Sequence, residues 1–526
     1  MNASFWKNDI SRDGRWVLPA ALILAFLLSA LQAGGFWGFF LAASLGFFAL
    51  GAARRWAAED SPRAGRALMW ILASAFLVRI LAAAALTVFL PLYGHGNEEE
   101  RAGYVFTDSY RRDAQAWALA RSDDPILGAF GNAYYTDQYG GLLAVSAWSY
   151  RYLSPDAHRP LLISLLASLV AALGIPFLWR ALRRIEGESL AKASSWILAL
   201  YPEAVLAGGA QMREPFLITF TAMMLWGFFD WREHRRAWGW LAAGAAGLLL
   251  FSPAVFLVMF LALSALFWLE RRARPLSWKL LLGGAGIFIL GVAVFAFGVN
   301  RAGALGAHSP FGVIQKWFHE AVKWDIYQLE RGSGWMQKLF GEMGETARLF
   351  FVAIYGMLRP LLPAILVVPT NPVWRVIGFL RSAGWYAMLP LLLYGIFPAW
   401  KTEDDARRRV ILWAGAVAWI WIFVASLRAG GDQWDNPRYR SILLIFQAIF
   451  AAYAWLSYRR RKDILFSGIL LSEIAAMGVF FRWYLGRYNA EWSVFPFWSA
   501  ALWSLSLILL IFFGAVLFAH RRRKKR

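Results

Sequence analysis

Apolar runs of about 18–25 residues recur along this chain, and each is long enough to cross a hydrocarbon core about 30 Å thick. Such runs make the chain a polytopic, all-α membrane protein, and 59% hydrophobic against 17% charged residues leaves little of it for soluble domains. The formal charge of +21 would suit a nucleic-acid partner. Its placement points elsewhere, because the basic residues form short clusters between apolar runs, as cytoplasmic loops do. No nucleic-acid motif is present, and the arginine-rich ends suit anionic lipid headgroups. The absence of cysteine excludes disulfides, thiolate zinc sites and thiol nucleophiles. The first apolar run lacks the short core and small-residue cleavage site of a removed signal and reads as a retained helix.

The basic clusters orient the chain. Lys7, Arg12 and Arg15 precede a hairpin of two spans, roughly 16–33 and 35–52, that turns at Gly34–Gly35. Arg54, Arg55, Arg63 and Arg66 follow it, so the turn lies outside. A third span, roughly 67–92, leads out to an acidic and aromatic loop, and one at about 159–183 returns to Arg180, Arg183 and Arg184. Within that loop, LLAVSAWSYRYLS is too short to cross and reads as an interfacial helix. Later spans are expected at about 188–207, 213–231, 237–252, 253–271, 279–298, 376–399, 410–427, 438–458, 464–484 and 495–519. The expectation is about 14 transmembrane helices with both termini cytoplasmic. The chain then divides into a hairpin (1–66), a membrane module with its external loop (67–300, loop 93–158), an external amphipathic or re-entrant stretch (301–375) and a C-terminal helical module (376–526). In the third piece, Ser309–Pro310 starts an amphipathic helix that carries Phe311, Ile314, Phe318, Val322 and Leu329 on one face. The run 349–368, broken by Arg359, Pro360 and Pro363, reads as re-entrant or interfacial.

Ionisable groups near or within lipid need a reason. Arg79 and Glu473 fall inside spans, where bonds to backbone carbonyls or an ion pair would hold them. The outer boundary is richer. Asp108 and Asp113 stand about one and a half helical turns apart. Glu203, Arg213 and Glu214 flank an external turn, Arg359 begins the proline-broken segment, and GGDQWDNPRYR carries Asp432, Asp435, Arg438, Tyr439 and Arg440. A carboxylate held at this boundary can act as base on a lipid-linked substrate, and arginine offers a fork for phosphate oxygens. Each group also has a plain structural reading. Asp108 could be an N-cap, Asp113 a solvated neighbour of Arg112, and Glu214 a partner of a helix dipole. Arg438 and Arg440 could anchor a helix at headgroup level. His308 and His319 lack metal-ligand spacing.

In order along roughly residues 67–460, these motifs resemble the GT-C superfamily of integral-membrane glycosyltransferases, which includes protein O-mannosyltransferases and aminoarabinose transferases. Asp108 heads the loop helix as the leading acid does there, with Ala116 at the small position eight residues on. Arg112 replaces an aromatic, and Ser109 stands where many members carry a second acid. YGGLLAVSAWSYRYLS matches the juxtamembrane helix with Gly140–Gly141 in place of prolines, and Arg159 fits the arginine that follows. Glu214 matches the acid of the next helical hairpin, and Arg438–Tyr439 the late helix start.

The resemblance implies a sugar on a polyprenyl phosphate as donor and a protein, glycan or lipid as acceptor. Transfer would proceed with inversion on the extracytoplasmic face of a bacterial cytoplasmic membrane. It implies Asp108 as base, with Asp113 as its alternate, and Arg438, Arg440, Arg359 and Arg213 on the donor phosphate. Glu214, Tyr439, Arg159 and Arg79 would support the site, with Glu214 the first source of a second carboxylate. A divalent cation, magnesium or manganese, could share the phosphate, although arginines alone could also hold it. Two other readings are weighed: a transporter or flippase of lipid-linked sugars, and an oligosaccharide polymerase or ligase using a lipid pyrophosphate.

Overall fold

The computed structural model describes residues 3–524 apart from 60, 135, 138, 271–277, most of 303–333 and 430–434. Asp432 and almost all of the expected amphipathic helix after Ser309 lie outside the described residues. What is described is all-helical. Eight helices are long and apolar enough to cross a membrane, or nine if a pair bent by 74° at residues 442–443 counts as one span. The fourteen expected spans are therefore not borne out among the described residues. The expected positions do carry helices, but several are too short. The run at 188–207 breaks at Pro202 into α8 (Glu188–Leu200) and α9 (Pro202–Gly209). α11 (Arg236–Phe251) has 16 residues, a length of about 24 Å at 1.5 Å per residue.

The chain forms two compact units, Met1–Leu92 with Gly96–Glu320, and Tyr93–His95 with Ala321–Arg526. The first contains α1 (Ala3–Leu31), α2 (Phe36–Ala57), α3 (Pro62–Tyr93, but for its last residue), α4 (Glu98–Arg101), α5 (Thr107–Arg121), α6 (Gly141–Leu153) and α7 (Leu161–Glu186), followed by α8 and α9. α10 (Glu214–Asp230), α11, α12 (Pro253–Glu270) and α13 (Trp278–Ala302) complete it. α7 is its axis, with 83% of its apolar window buried. α2, α8, α9 and α10 pack around it. A helix enclosed on all sides is apolar on all sides, and α7 reads that way from Leu161 to Trp179. Trp37, Leu81 and Leu92 instead stand exposed on outer helices, as expected of surface meant for lipid.

Arg79 is the exception inside this core. Its guanidinium donates to the carbonyls of Ala75 (2.8 Å), Ala199 (2.8 Å) and Leu198 (3.0 Å). The Leu198 carbonyl would accept from residue 202 in a continuous helix, but Pro202 has no N–H to give. Arg79 therefore supplies donors where the break between α8 and α9 removes them, a structural role.

At one end of this unit the basic residues meet. Arg180 donates to the Trp56 carbonyl (2.7 Å) and pairs with Glu59 at 3.6 Å. Arg184 pairs with Asp230 (2.6 Å) and Glu233, and Arg232 with Glu270 (3.2 Å). The ends of α2, α7, α10 and α12 are tied there by charge.

The second unit holds α14 (Gly334–Glu342), α15 (Glu345–Leu358), α16 (Leu362–Val367), α17 (Pro372–Trp400), α18 (Asp405–Ala429), α19 (Asp435–Ser441), α20 (Leu444–Arg461), α21 (Ile464–Tyr488) and α22 (Phe497–Lys524). α20 packs against α17 and α18, and α22 against α21. The run at 349–368 divides into α15 and α16 on either side of Arg359–Pro360.

Arg79→Met should leave two buried carbonyls at the α8–α9 break without a donor. The expected cost is about 3 kcal/mol, read as a lowered melting temperature of the detergent-purified protein. A variant that melts with the wild type would remove Arg79 from this role.

Candidate functional site

The loop between α3 and α7 is built on α5 and α6. On α5 the residues Ser109, Arg112, Asp113, Ala116 and Leu119 are buried, a spacing that gives one helical face. Ala116 and Leu119 pack with Leu143, Ala147 and Tyr150 of α6 and Ile163 of α7. That packing carries Arg112 and Asp113 into the interior. Asp108, in the first turn, stays exposed. The helix begins at Thr107 after Phe106, which caps it with no side-chain bond. Asp108 is thus the second helical residue, where the helix dipole favours an acid, and not the N-cap.

Asp113 is 2% exposed and receives three donors. Tyr104 Oη donates to Oδ2 at 2.6 Å, Tyr150 Oη to Oδ1 at 2.6 Å, and His158 Nε2 lies 2.7 Å from Oδ2. The reading of Asp113 as a solvated neighbour of Arg112 does not hold, because the packed face of α5 takes the carboxylate out of water. Burial first, and then the charge of Asp113, push the phenols of Tyr104 and Tyr150 well above their usual range, so both remain protonated donors.

Arg112 donates to the Gln211 carbonyl, which joins α5 to the turn between α9 and α10. Burial pulls its guanidinium below the usual value, and the charges of Asp137, Asp113, Asp108 and Glu214 act against that fall. One buried cation thus faces four carboxylates from three stretches of chain. Asp137 had no signal beyond its place in the loop. It accepts from the backbone N–H of Leu142 and Leu143, at 3.0 Å each, and so caps α6. The chain turns into α6 through Gly140 at φ 81°, a left-handed conformation open to glycine, and this explains Gly140 in place of a proline. Glu214, the expected second acid, opens α10 and is buried, and Arg213 beside it lies 5.6 Å from the Tyr139 ring.

Arg159 fastens the end of the loop. It pairs with both oxygens of Asp156 (2.6 and 2.7 Å) and donates to Ser154 Oγ (2.8 Å). These bonds lower the Asp156 carboxyl to about 2. The arginine lies against Gly35, where an added Cβ would sit 2.5 Å from its Cδ, and Gln32 Oε1 accepts from the Leu161 N–H (3.0 Å). The loop is thereby seated on the α1–α2 turn. Within the clasp, just before Arg159, stands His158, stacked on Trp117 and edge-on to Tyr150. It lies 45 residues from Asp113 with no periodic relation to it, so sequence spacing carried no signal for the pair.

The remaining expected arginines belong to the second unit. Arg440 is buried, lies 3.4 Å over the Trp385 ring and donates to the carbonyls of Met357 (3.2 Å) and Arg359 (2.8 Å). It braces the α15–α16 break, which Trp385 and Tyr386 also hold through the carbonyls of Met357 and Leu358. Arg359 lies over the Tyr355 ring at 4.5 Å. Arg438 pairs with Asp435 (3.0 Å), and the Tyr439 ring lies between Arg438 (5.0 Å) and Arg428 (4.9 Å). Buried Arg381 and half-buried Arg428 carry charge that the sequence reading did not single out. This unit also encloses an almost wholly apolar cavity of about 600 Å³, lined among others by Tyr355, Tyr386, Trp483 and Phe497. Glu473 faces it, and its carboxylate oxygens make no hydrogen bond among the described residues.

For a metal, the described residues offer one trio with ligand atoms within 4.8 Å of one another, Asp230, Glu233 and His234. It lies at the basic end, a helix length from Glu214, and Arg184 already pairs with both of its acids.

No family model matches the sequence, and no curated protein matches it. Among solved structures the chain is similar to the archaeal oligosaccharyltransferase AglB of Archaeoglobus fulgidus in complex with an inhibitory peptide and a dolichol-phosphate. The identity is 12%, over 86% of this chain and 56% of that one, with a TM-score of 0.39. The apo form of the Archaeoglobus fulgidus oligosaccharyltransferase gives 13% identity over 85% and 55%, with a TM-score of 0.40. The chain spans little more than half the length of these structures, and likeness of this degree assigns it no activity.

Arg112→Met should leave the facing carboxylates without their buried cation, at a cost of about 3–5 kcal/mol. Thermal unfolding in detergent reads the loss. Arg112→Lys should recover part of it, and unchanged melting of Arg112→Met would contradict the central place given to this charge.

Proposed function

We propose that this protein transfers a sugar from a polyprenyl-phosphate donor to an acceptor hydroxyl on the extracytoplasmic side of the membrane, with inversion at the anomeric carbon. The observation that carries the reading is the cluster around Arg112. Arg112 is buried with its charge supported by Asp108, Asp113, Asp137 and Glu214, and Asp113 beside it holds Tyr104, Tyr150 and His158 at 2.6–2.7 Å. The expectation that Glu214 supplies the second carboxylate agrees with this cluster.

Glycosyl transfer from a lipid phosphate asks for three things. The attacking hydroxyl must lose a proton, positive charge builds at the anomeric carbon, and the phosphate leaves as an anion. Asp108 is the exposed carboxylate of the cluster and the one placed to meet substrates. Asp113, with three donors on its two oxygens, is held for another purpose. Arg213 is the half-buried cation beside these acids, and we assign it to the phosphate. Arg359 and Arg438 are further candidates in the second unit. Arg440 is a weaker one, because it is committed to backbone carbonyls.

A panel of polyprenyl-phosphate sugars, assayed for release of the free lipid phosphate by purified protein, tests the reading directly. Asp108→Asn should lower release by about 100-fold or more while the protein inserts and melts as before. Full activity in that variant would take Asp108 out of the reaction. Arg213→Ala should raise the KM for donor more than for acceptor, and an equal rise in both would argue against a phosphate role.

A further inference from the structure

We infer that His158, backed by Asp113, is the base that takes the proton from the acceptor hydroxyl. This rests on the transferase reading above and moves the proton away from Asp108, the residue that the family resemblance implies as base.

The geometry separates the two acids. Asp113 is buried and already receives the Tyr104 and Tyr150 hydroxyls at 2.6 Å each. Burial and the carboxylate's own charge keep both phenols protonated, so these bonds persist. A carboxylate held so fully is a poor acceptor for a substrate proton but a good anchor for an imidazole. His158 Nε2 lies 2.7 Å from its Oδ2. Beside a carboxylate Nε2 keeps its proton, which leaves Nδ1 with the lone pair. His158 makes no other hydrogen bond among the described residues, and its side chain is 32% exposed while that of Asp113 is 2% exposed. The accessible group of the pair is the imidazole.

The ring is also fixed in place. It stacks on Trp117 at 5.4 Å and meets Tyr150 edge-on at 5.0 Å. Its chain segment is held by Arg159, through Asp156 and Ser154. The charged and titratable groups around it are Asp113 and Arg112 on α5, Arg121 over the Trp117 ring (5.7 Å), Tyr104 before α5, Tyr150 on α6, and the Asp156–Arg159 pair on its own strand of chain. This is the arrangement in which a buried acid orients an imidazole and stabilises the imidazolium that forms.

The step balances. The acceptor oxygen bonds to the anomeric carbon as the bond from that carbon to the phosphate oxygen breaks. The acceptor proton moves to His158 Nδ1, and the lipid phosphate leaves with the electron pair. His158 is the catalytic residue, and Asp113, Tyr104 and Tyr150 are positioning residues. Asp108 is left to face the positive charge that builds on the sugar.

His158→Gln keeps an amide donor toward Asp113 and removes the base, so the fold should be retained. Its kcat should fall by about 10²–10⁴-fold, with donor KM little changed. The rise of kcat with pH that a general base imposes should disappear from this variant and persist in Asp108→Asn. Full turnover of His158→Gln, or loss of the rise in Asp108→Asn instead, overturns the proposal. A second measurement needs no turnover. Diethylpyrocarbonate should modify His158 in the wild type, read by mass spectrometry, because its Nδ1 carries an exposed lone pair. An unreactive His158 overturns the proposal even if no donor in the panel is cleaved. An active donor panel with a reactive but dispensable His158 overturns the dyad and leaves the transferase reading standing.

Discussion

A guanidinium withdrawn from water must find acceptors or negative charge in the interior, and Arg112 draws the loop of this protein together by finding both. Its charge faces Asp108 and Asp113 from its own helix, Asp137 from the turn before α6, and Glu214 from the start of α10. Its bond to the Gln211 carbonyl adds the turn before α10. The loop helix α5, the turn before α6 and the start of α10 are thus tied through one side chain. Asp113, Asp137 and Glu214 are buried with it, and their negative charge offsets part of the cost of desolvating the cation.

Around that cation the carboxylates have different duties. Asp137 caps α6, Asp113 anchors two phenols and an imidazole, and Asp108 remains exposed. What separates them is access to solvent: Asp113 holds its three donors in the interior, whereas Asp108 lies exposed at a helix start. In the second unit Arg440 is committed to two carbonyls and an indole face, and Arg359 lies over the Tyr355 ring.

Breaks in helices also explain polar groups placed deep in apolar surroundings. Pro202 removes a donor, and Arg79 restores it from another helix. The Arg359–Pro360 break exposes carbonyls, and Arg440, Trp385 and Tyr386 satisfy them. Each cation in lipid surroundings that looked functional by rarity therefore has first to be counted against the backbone it satisfies.

The sequence by itself determined the solvent and much of the framework. Long apolar runs leave a bilayer as the surroundings, the helix Gly141–Leu153 was legible as a run too short to cross, and Asp108 and Asp113 were legible as acids of one loop, with Glu214 at a later turn. The number of spans was not, because apolar composition marks a helix whether or not it is long enough to cross. Nor was the role of each acid. His158 and Asp113 are 45 residues apart, and no periodicity relates a helix to a loop segment beyond the next helix. Their contact exists because Ala116 and Leu119 pack on α6 and Arg159 seats the loop on the first hairpin. Local pattern records which face of a helix is buried. Which group waits on the other side of that face is decided only when distant segments pack.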